Sequence, residues 1–121
     1  MNPQIGSVND LTITTVTGKT ALATLSTVTA NIVTNSSSSG TVDKINTIML
    51  SNYTSNSLTA NVMINRSSMY YIAGSVSVPG NSTLAVLGKD TSIYLEEGDV
   101  LQANTSANNS MAISVSYELM S

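Results

Sequence analysis

From about Asp43 to the C-terminus, apolar and polar residues alternate along the chain. This is the spacing at which a pleated strand turns successive side chains to opposite faces. In "SMAISVSYEL", Met111, Ile113, Val115, Tyr117 and Leu119 share one face, with Ser110, Ala112, Ser114, Ser116 and Glu118 on the other. "MYYIAGSVSV" sets Tyr70, Ile72, Val76 and Val78 against Tyr71, Ala73, Ser75 and Ser77, and "LTANVMI" aligns Leu58, Ala60, Val62 and Ile64. Each segment predicts a half-buried strand with its polar face in water.

Turn chemistry separates these strands. "NYTSNS" follows the run Ile45 to Tyr53, "PGNS" follows Val78, "EEGD" follows Ile93 to Leu95, and "SANNS" precedes the last strand. Pro79 fixes its own φ and has no N–H for a ladder, while Gly80, Gly98 and Asn109 are read as positions that supply φ > 0. Short strands about ten residues apart predict an all-β fold, an antiparallel β-sandwich or jelly-roll-like single domain over residues 41–121.

The pattern is weaker before residue 41. "LTITTV" reads as a strand. "ALATLSTVTANIV" spaces Ala21, Leu25, Val28 and Ile32 as a helix would, yet its Thr and Val suit a pleated surface better, so strand is the reading. "NSSSSG", Asn35 to Gly40, reads as a flexible connector. Residues 1–40 are expected to form a Thr/Ser-rich N-terminal extended arm or strand segment that adds to the sheet or crosses to a neighbouring subunit.

Composition sharpens this picture. Charged residues are 9% of the 121, where about a quarter is typical, and about two residues in five are Ser, Thr or Asn. With 41% hydrophobic residues the chain is a folded β protein, not a disordered one, and it is long enough to bury roughly two-thirds of its unfolded surface. The net charge is −3, and the cations are Lys19, Lys44, Arg66 and Lys89 alone. Four scattered cations neither neutralise a run of phosphates nor hold an anionic bilayer, so nucleic acid and membrane are not expected partners. The opening "MNPQIGSVND" lacks a signal-peptide pattern, and no apolar run approaches the ~20 residues that span a bilayer. The triplets "NYT", "NRS", "NST" and "NTS" follow from the composition and are expected to stay unglycosylated.

The residues that are missing limit the chemistry. The chain has no histidine and no cysteine, so it lacks the common general base, the thiolate nucleophile, disulfides and the usual zinc and copper ligands. An enzyme is not expected, and neither is a cofactor. Carboxylates are what remain, and four of the seven acids fall in "GKDTSIYLEEGDVLQ": Asp90, Glu96, Glu97 and Asp99. Paired catalytic carboxylates lie on opposite sides of a scissile bond, about 5–10 Å apart. Glu96 and Glu97 are adjacent and point to opposite faces of an extended backbone, while Asp10, Asp43 and Glu118 are isolated. The favoured reading is a strand corner, in which Ile93 and Leu95 point inward, Gly98 takes the unusual backbone conformation and Asp99 caps free N–H groups. The alternative is a calcium ion held by Glu96, Glu97 and Asp99, although the EF-hand pattern is absent. Among the five tyrosines, Tyr70 and Tyr117 lie on apolar faces and read as core, whereas Tyr71 reads as a contact residue. The methionines, including Met49, Met63 and Met111, read as gap-fillers.

The segment from Val42 onward carries a "KI" strand leading to "LSNY", then "VSVPGNSTLAVLGKD", "IYLEEGDVL" and a terminal "SYEL". In these features it resembles the small β-sandwich virion structural proteins of tailed phages, particularly those that infect marine cyanobacteria. The corner L-x-x-GD-x-L is also similar to jelly-roll and trimeric knob domains generally. The resemblance implies a virion protein made in the host cytoplasm, without enzymatic residues: a capsid decoration or cement protein that binds the major capsid protein and is a homo-oligomer, by analogy a trimer. Two other addresses share the fold. One is a tail, neck or baseplate component; the other is a receptor- or carbohydrate-binding module at a fibre tip, which an exposed aromatic cluster beside the acidic corner would favour.

Overall fold

Nine strands and one short 3₁₀ turn make up the fold, given by a computed structural model that describes residues 15–121. The strands are β1 (Val16–Leu25), β2 (Ala30–Thr34), β3 (Val42–Asn52), β4 (Leu58–Asn65), β5 (Met69–Val78), β6 (Ser82–Leu87), β7 (Ile93–Leu95), β8 (Val100–Thr105) and β9 (Met111–Met120). The 3₁₀ turn is Lys89–Thr91. One sheet runs β1-β9-β3-β6, with β7 also on β3, and the other runs β2-β8-β4-β5. All pairings are antiparallel.

The pairings are nested in sequence: β1 with β9, β2 with β8, β3 with β6 and β7, and β4 with β5. A long hairpin folded over on itself gives this order, which is the jelly roll. The core lies between the sheets. Leu50, Ile113 and Val115 come from the first, Ala60, Val62, Leu101 and Ala103 from the second, and all are essentially inaccessible. The alternation read in the last strand holds, with Met111, Ile113 and Val115 buried.

Of the expected arm or strand segment, the strand reading holds over residues 16–34, where β1 and β2 are strands of the sandwich. β1 pairs along its whole length with β9, and Leu25 and Val33 belong to the core. The helical spacing of Ala21, Leu25, Val28 and Ile32 arises because β1 and β2 are separated by a turn at 26–29. Val28 sits in that turn, 72% exposed. "LTITTV" lies outside the described residues except for Thr15 and Val16.

"NSSSSG" is held at both ends. Asn35, 2% exposed, donates through Nδ2 to the carbonyls of Thr41 and Leu95, each at 3.0 Å, and accepts through Oδ1 from the Ser39 and Thr41 hydroxyls. Buried Asn52 pins the opposite corner in the same way, donating to the carbonyls of Asn56 and Val78 and accepting from the N–H and hydroxyl of Thr54. A buried amide is tolerated when its donors and acceptor are used, and both are.

The glycine readings divide. Gly98 has φ +90° and Asn109 φ +53°. Gly80 is not left-handed; its neighbour Asn81 is, at φ +55°. Gly80 is required by crowding, because a Cβ there would stand 2.5 Å from the Ser55 carbonyl oxygen. Among the described residues, no helix is long and apolar enough to cross a membrane.

Candidate functional site

The acidic corner joins β7 to β8. Glu96 to Asp99 close a turn in which the Asp99 N–H donates to the Glu96 carbonyl at 3.0 Å, with Gly98 at the third position, where a positive φ is needed. Leu95 and Leu101 on either side are fully buried. The Asp99 carboxylate, itself 2% exposed, accepts the Glu96 N–H at 2.7 Å and a forked pair of bonds from Arg66 Nε and Nη2. The Arg66 bond, chiefly, holds the Asp99 carboxyl below its usual range, and the Glu96 N–H adds to this against the opposing effect of burial. The same bond holds the Arg66 guanidinium above its usual range, aided by the charges of Asp99 and Glu96.

The three calcium candidates therefore do not share one oxygen cage. Asp99 is taken by Arg66, Glu96 lies 3.8 Å from Arg66 Nη2, and Glu97 turns the other way to accept the Gly40 N–H through Oε2. Asp90 is exposed on the 3₁₀ turn. Among the described residues, no three acidic, histidine or cysteine side chains converge as metal ligands.

Arg66 is the participant that reading the sequence missed. It lies 33 residues from Asp99, in the turn between β4 and β5. The antiparallel register that sets Ile64 against Leu101 and Asn65 against Val100 brings it there. The only sequence signal was a lone arginine with no acid nearby in the chain.

Beside this ion pair the sandwich is open. A cleft of about 450 Å³ separates the edge strands β5 and β7, lined by Ile64, Arg66, Tyr70, Ile93, Tyr94 and Glu96. Tyr70 is on the apolar side of its strand, as read, but it is not core: it lines the open cleft and stays 60% exposed. Tyr71 is equally exposed, and Tyr94 is 49% exposed. Tyr117 is the one that packs on the core.

The outer faces of the two sheets differ. On the second, amides donate to one another and to a hydroxyl: Gln102 to Asn31 at 2.7 Å, Asn61 to Asn104 at 2.8 Å, and Asn104 to the Thr29 hydroxyl at 2.9 Å. On the first, the register lays out three rows of uncharged side chains, namely Thr24, Ala112, Ser51 and Thr83, then Leu22, Ser114, Met49 and Ala85, then Thr20, Ser116 and Thr47, and the next row brings in Glu118 and Lys44. Leu22 is 75% exposed, and with Met49 it walls a shallow trough of about 560 Å³ over Ser114.

One buried acid stands apart from the corner. Asp43, 2% exposed, faces inward between Leu95 and Leu119, and its Oδ1 has no hydrogen-bond partner among the described residues. Burial raises its pKa, and the Lys19 charge partly offsets this.

No protein-family model matches the chain, and no curated protein matches it. The fold and the surfaces define the class: an all-β jelly roll with three uncharged rows on one outer sheet face and an open edge cleft.

Proposed function

We propose that the protein is a non-enzymatic virion structural protein that decorates and cements the head of a tailed phage, with the major capsid protein as its partner. The observation that carries this reading is the outer face of the β1-β9-β3-β6 sheet. Four strands and three rows make a patch of roughly 14 Å by 14 Å at ordinary strand spacings. A patch of that size falls well short of the ~800 Å² per partner of a stable one-to-one complex. Repeated over a lattice, however, weak contacts sum to firm attachment. The uncharged rows favour such docking because no ion is desolvated, and Leu22 and Met49 supply apolar anchors. Assembly as a trimer would raise the valency further. The resemblance to phage virion proteins points the same way, as does the restraint on strand edges, since β2 and β7 are short and β5 is bulged.

The test is co-sedimentation of purified protein with purified particles. Leu22→Glu with Met49→Glu should abolish attachment without lowering the melting temperature, and light scattering of the free protein should give three copies. Undiminished attachment of this double variant would remove the sheet face from the account. A second reading, a receptor- or carbohydrate-binding module, is favoured by the two exposed tyrosines of the edge cleft beside the acidic corner.

A further inference from the structure

The geometry points to the edge cleft as a binding site for a neutral saccharide. Its two walls come from different sheets: Tyr70 of β5 and Ile64 of the adjoining β4 on one side, Tyr94 and Ile93 of β7 on the other. Both rings remain about half exposed or more, although a tyrosine buries large apolar area at little entropic cost when something covers it. The exposed Tyr70 ring, beside Ile64, presents a surface on which the C–H face of a pyranose stacks.

The polar end of the cleft selects among ligands. Arg66 does not swing freely, because Asp99 fixes its Nε and Nη2. Its remaining donors therefore stand pre-aimed, which lowers the cost of binding. The Glu96 carboxylate, with 68% of its side chain exposed, is 3.8 Å from the same guanidinium and offers acceptors. A rim that presents fixed donors and free acceptors side by side matches vicinal hydroxyls, each of which donates and accepts. An anionic ligand meets Glu96, and a cationic one meets Arg66. A purely apolar ligand strips water from both charges without replacing it. At about 450 Å³ the cleft is within the usual range for small-ligand sites.

This inference rests on the carbohydrate-binding reading and is tested apart from the capsid reading, since the cleft and the Leu22 face are separate surfaces. The full chain, labelled, is applied to a printed array of neutral, sialylated and sulfated oligosaccharides. The strongest neutral binder is then titrated into ¹⁵N-labelled protein. Binding of neutral glycans is expected, with amide shifts centred on Arg66, Tyr70 and Tyr94. Tyr70→Ala and Tyr94→Ala should each weaken it about tenfold, the worth of one good aromatic contact. Glu96→Gln, at an exposed position that does not support the fold, should weaken it less, and Leu22→Glu should leave it unchanged. Particle attachment by Tyr70→Ala stays at the wild-type level, so a failure here is distinct from a failure of the capsid reading. Absence of any neutral binder, preference for the anionic glycans, or undiminished binding by both tyrosine variants with wild-type melting temperatures would overturn the assignment.

Discussion

Replacing Asp99 with alanine removes the acceptor that ties three segments together. The Glu96 N–H loses its partner, and the forked bonds from Arg66 are lost with it. Hydrogen bonds to a charged group are worth about 1.5–3 kcal/mol each, and those that share one carboxylate do not add. Arg66, with 47% of its side chain exposed, rehydrates when released, so its share is discounted for solvent screening. The net expectation is a loss of about 2–3 kcal/mol, seen as a melting temperature lower by roughly 10 °C. The assay is urea denaturation of wild type and Asp99→Ala across a pH series.

The pH dependence follows from the direction of the shift. Asp99 has a folded pKa below its ordinary 3.8, so its contribution is complete above 3.8 and is lost as pH falls through the folded value. The gap between wild type and Asp99→Ala should be flat near neutrality and close in acid. Arg66→Met gives a second sign to check. It leaves a buried carboxylate without its cation, so its deficit should shrink as acid protonates Asp99. A neutral-pH loss below about 0.5 kcal/mol, the ordinary scatter of surface substitutions, would refute the reasoning. So would a gap that persists in strong acid.

Three further outcomes are expected. Asp43→Asn should stabilise the protein at neutral pH by about 1 kcal/mol, because the buried carboxylate carries an unpaired oxygen. Its folded pKa is raised, so wild type loses stability as pH rises from 3.8 through that value, and the advantage of the variant should disappear below 3.8; chemical denaturation at acid and neutral pH measures both. Gly80→Ala should cost about 1–3 kcal/mol by thermal melting, since the added methyl meets the Ser55 backbone, which has no flexible side chain to move aside. Deleting residues 1–40 should yield an unfolded product by circular dichroism, because it removes β1 and β2 and the core residues Leu25 and Val33.

That last expectation marks where the sequence was hardest to read. The inner face of β1 is built from Ala21, Ala23 and Leu25, while its most conspicuous apolar residue, Leu22, faces outward. Small inward residues and a leucine on the solvent face erase the alternation that announced β9. Strand pairing rescues β1, and pairing partners are not written locally in a sequence. Bulges blurred other strands in the same way. One at Asn46 lets Ile45 and Ile48 both face the core, three residues apart.

The acidic corner was legible in outline because a glycine between acids, flanked by inward leucines, is a local signal. Its partner Arg66 was not, since only the β4-β8 register brings it close. The edge cleft was hidden for a related reason. Alternation gives the face on which Tyr70 lies but not whether that face is covered. Local chemistry marked "NYTSNS" as a turn and "NSSSSG" as a flexible connector, without indicating that Asn52 and Asn35 would be buried and fully hydrogen-bonded.

The central claim, that this jelly roll is a copy-rich component of the phage head, is tested most directly by immunogold electron microscopy of purified particles with antibody to the protein, paired with mass spectrometry of the same particles. The account predicts gold spread over the head and peptides of the protein in the spectrum. Label confined to the tail or its tip would contradict capsid decoration. Absence of both label and peptides would contradict a virion role altogether.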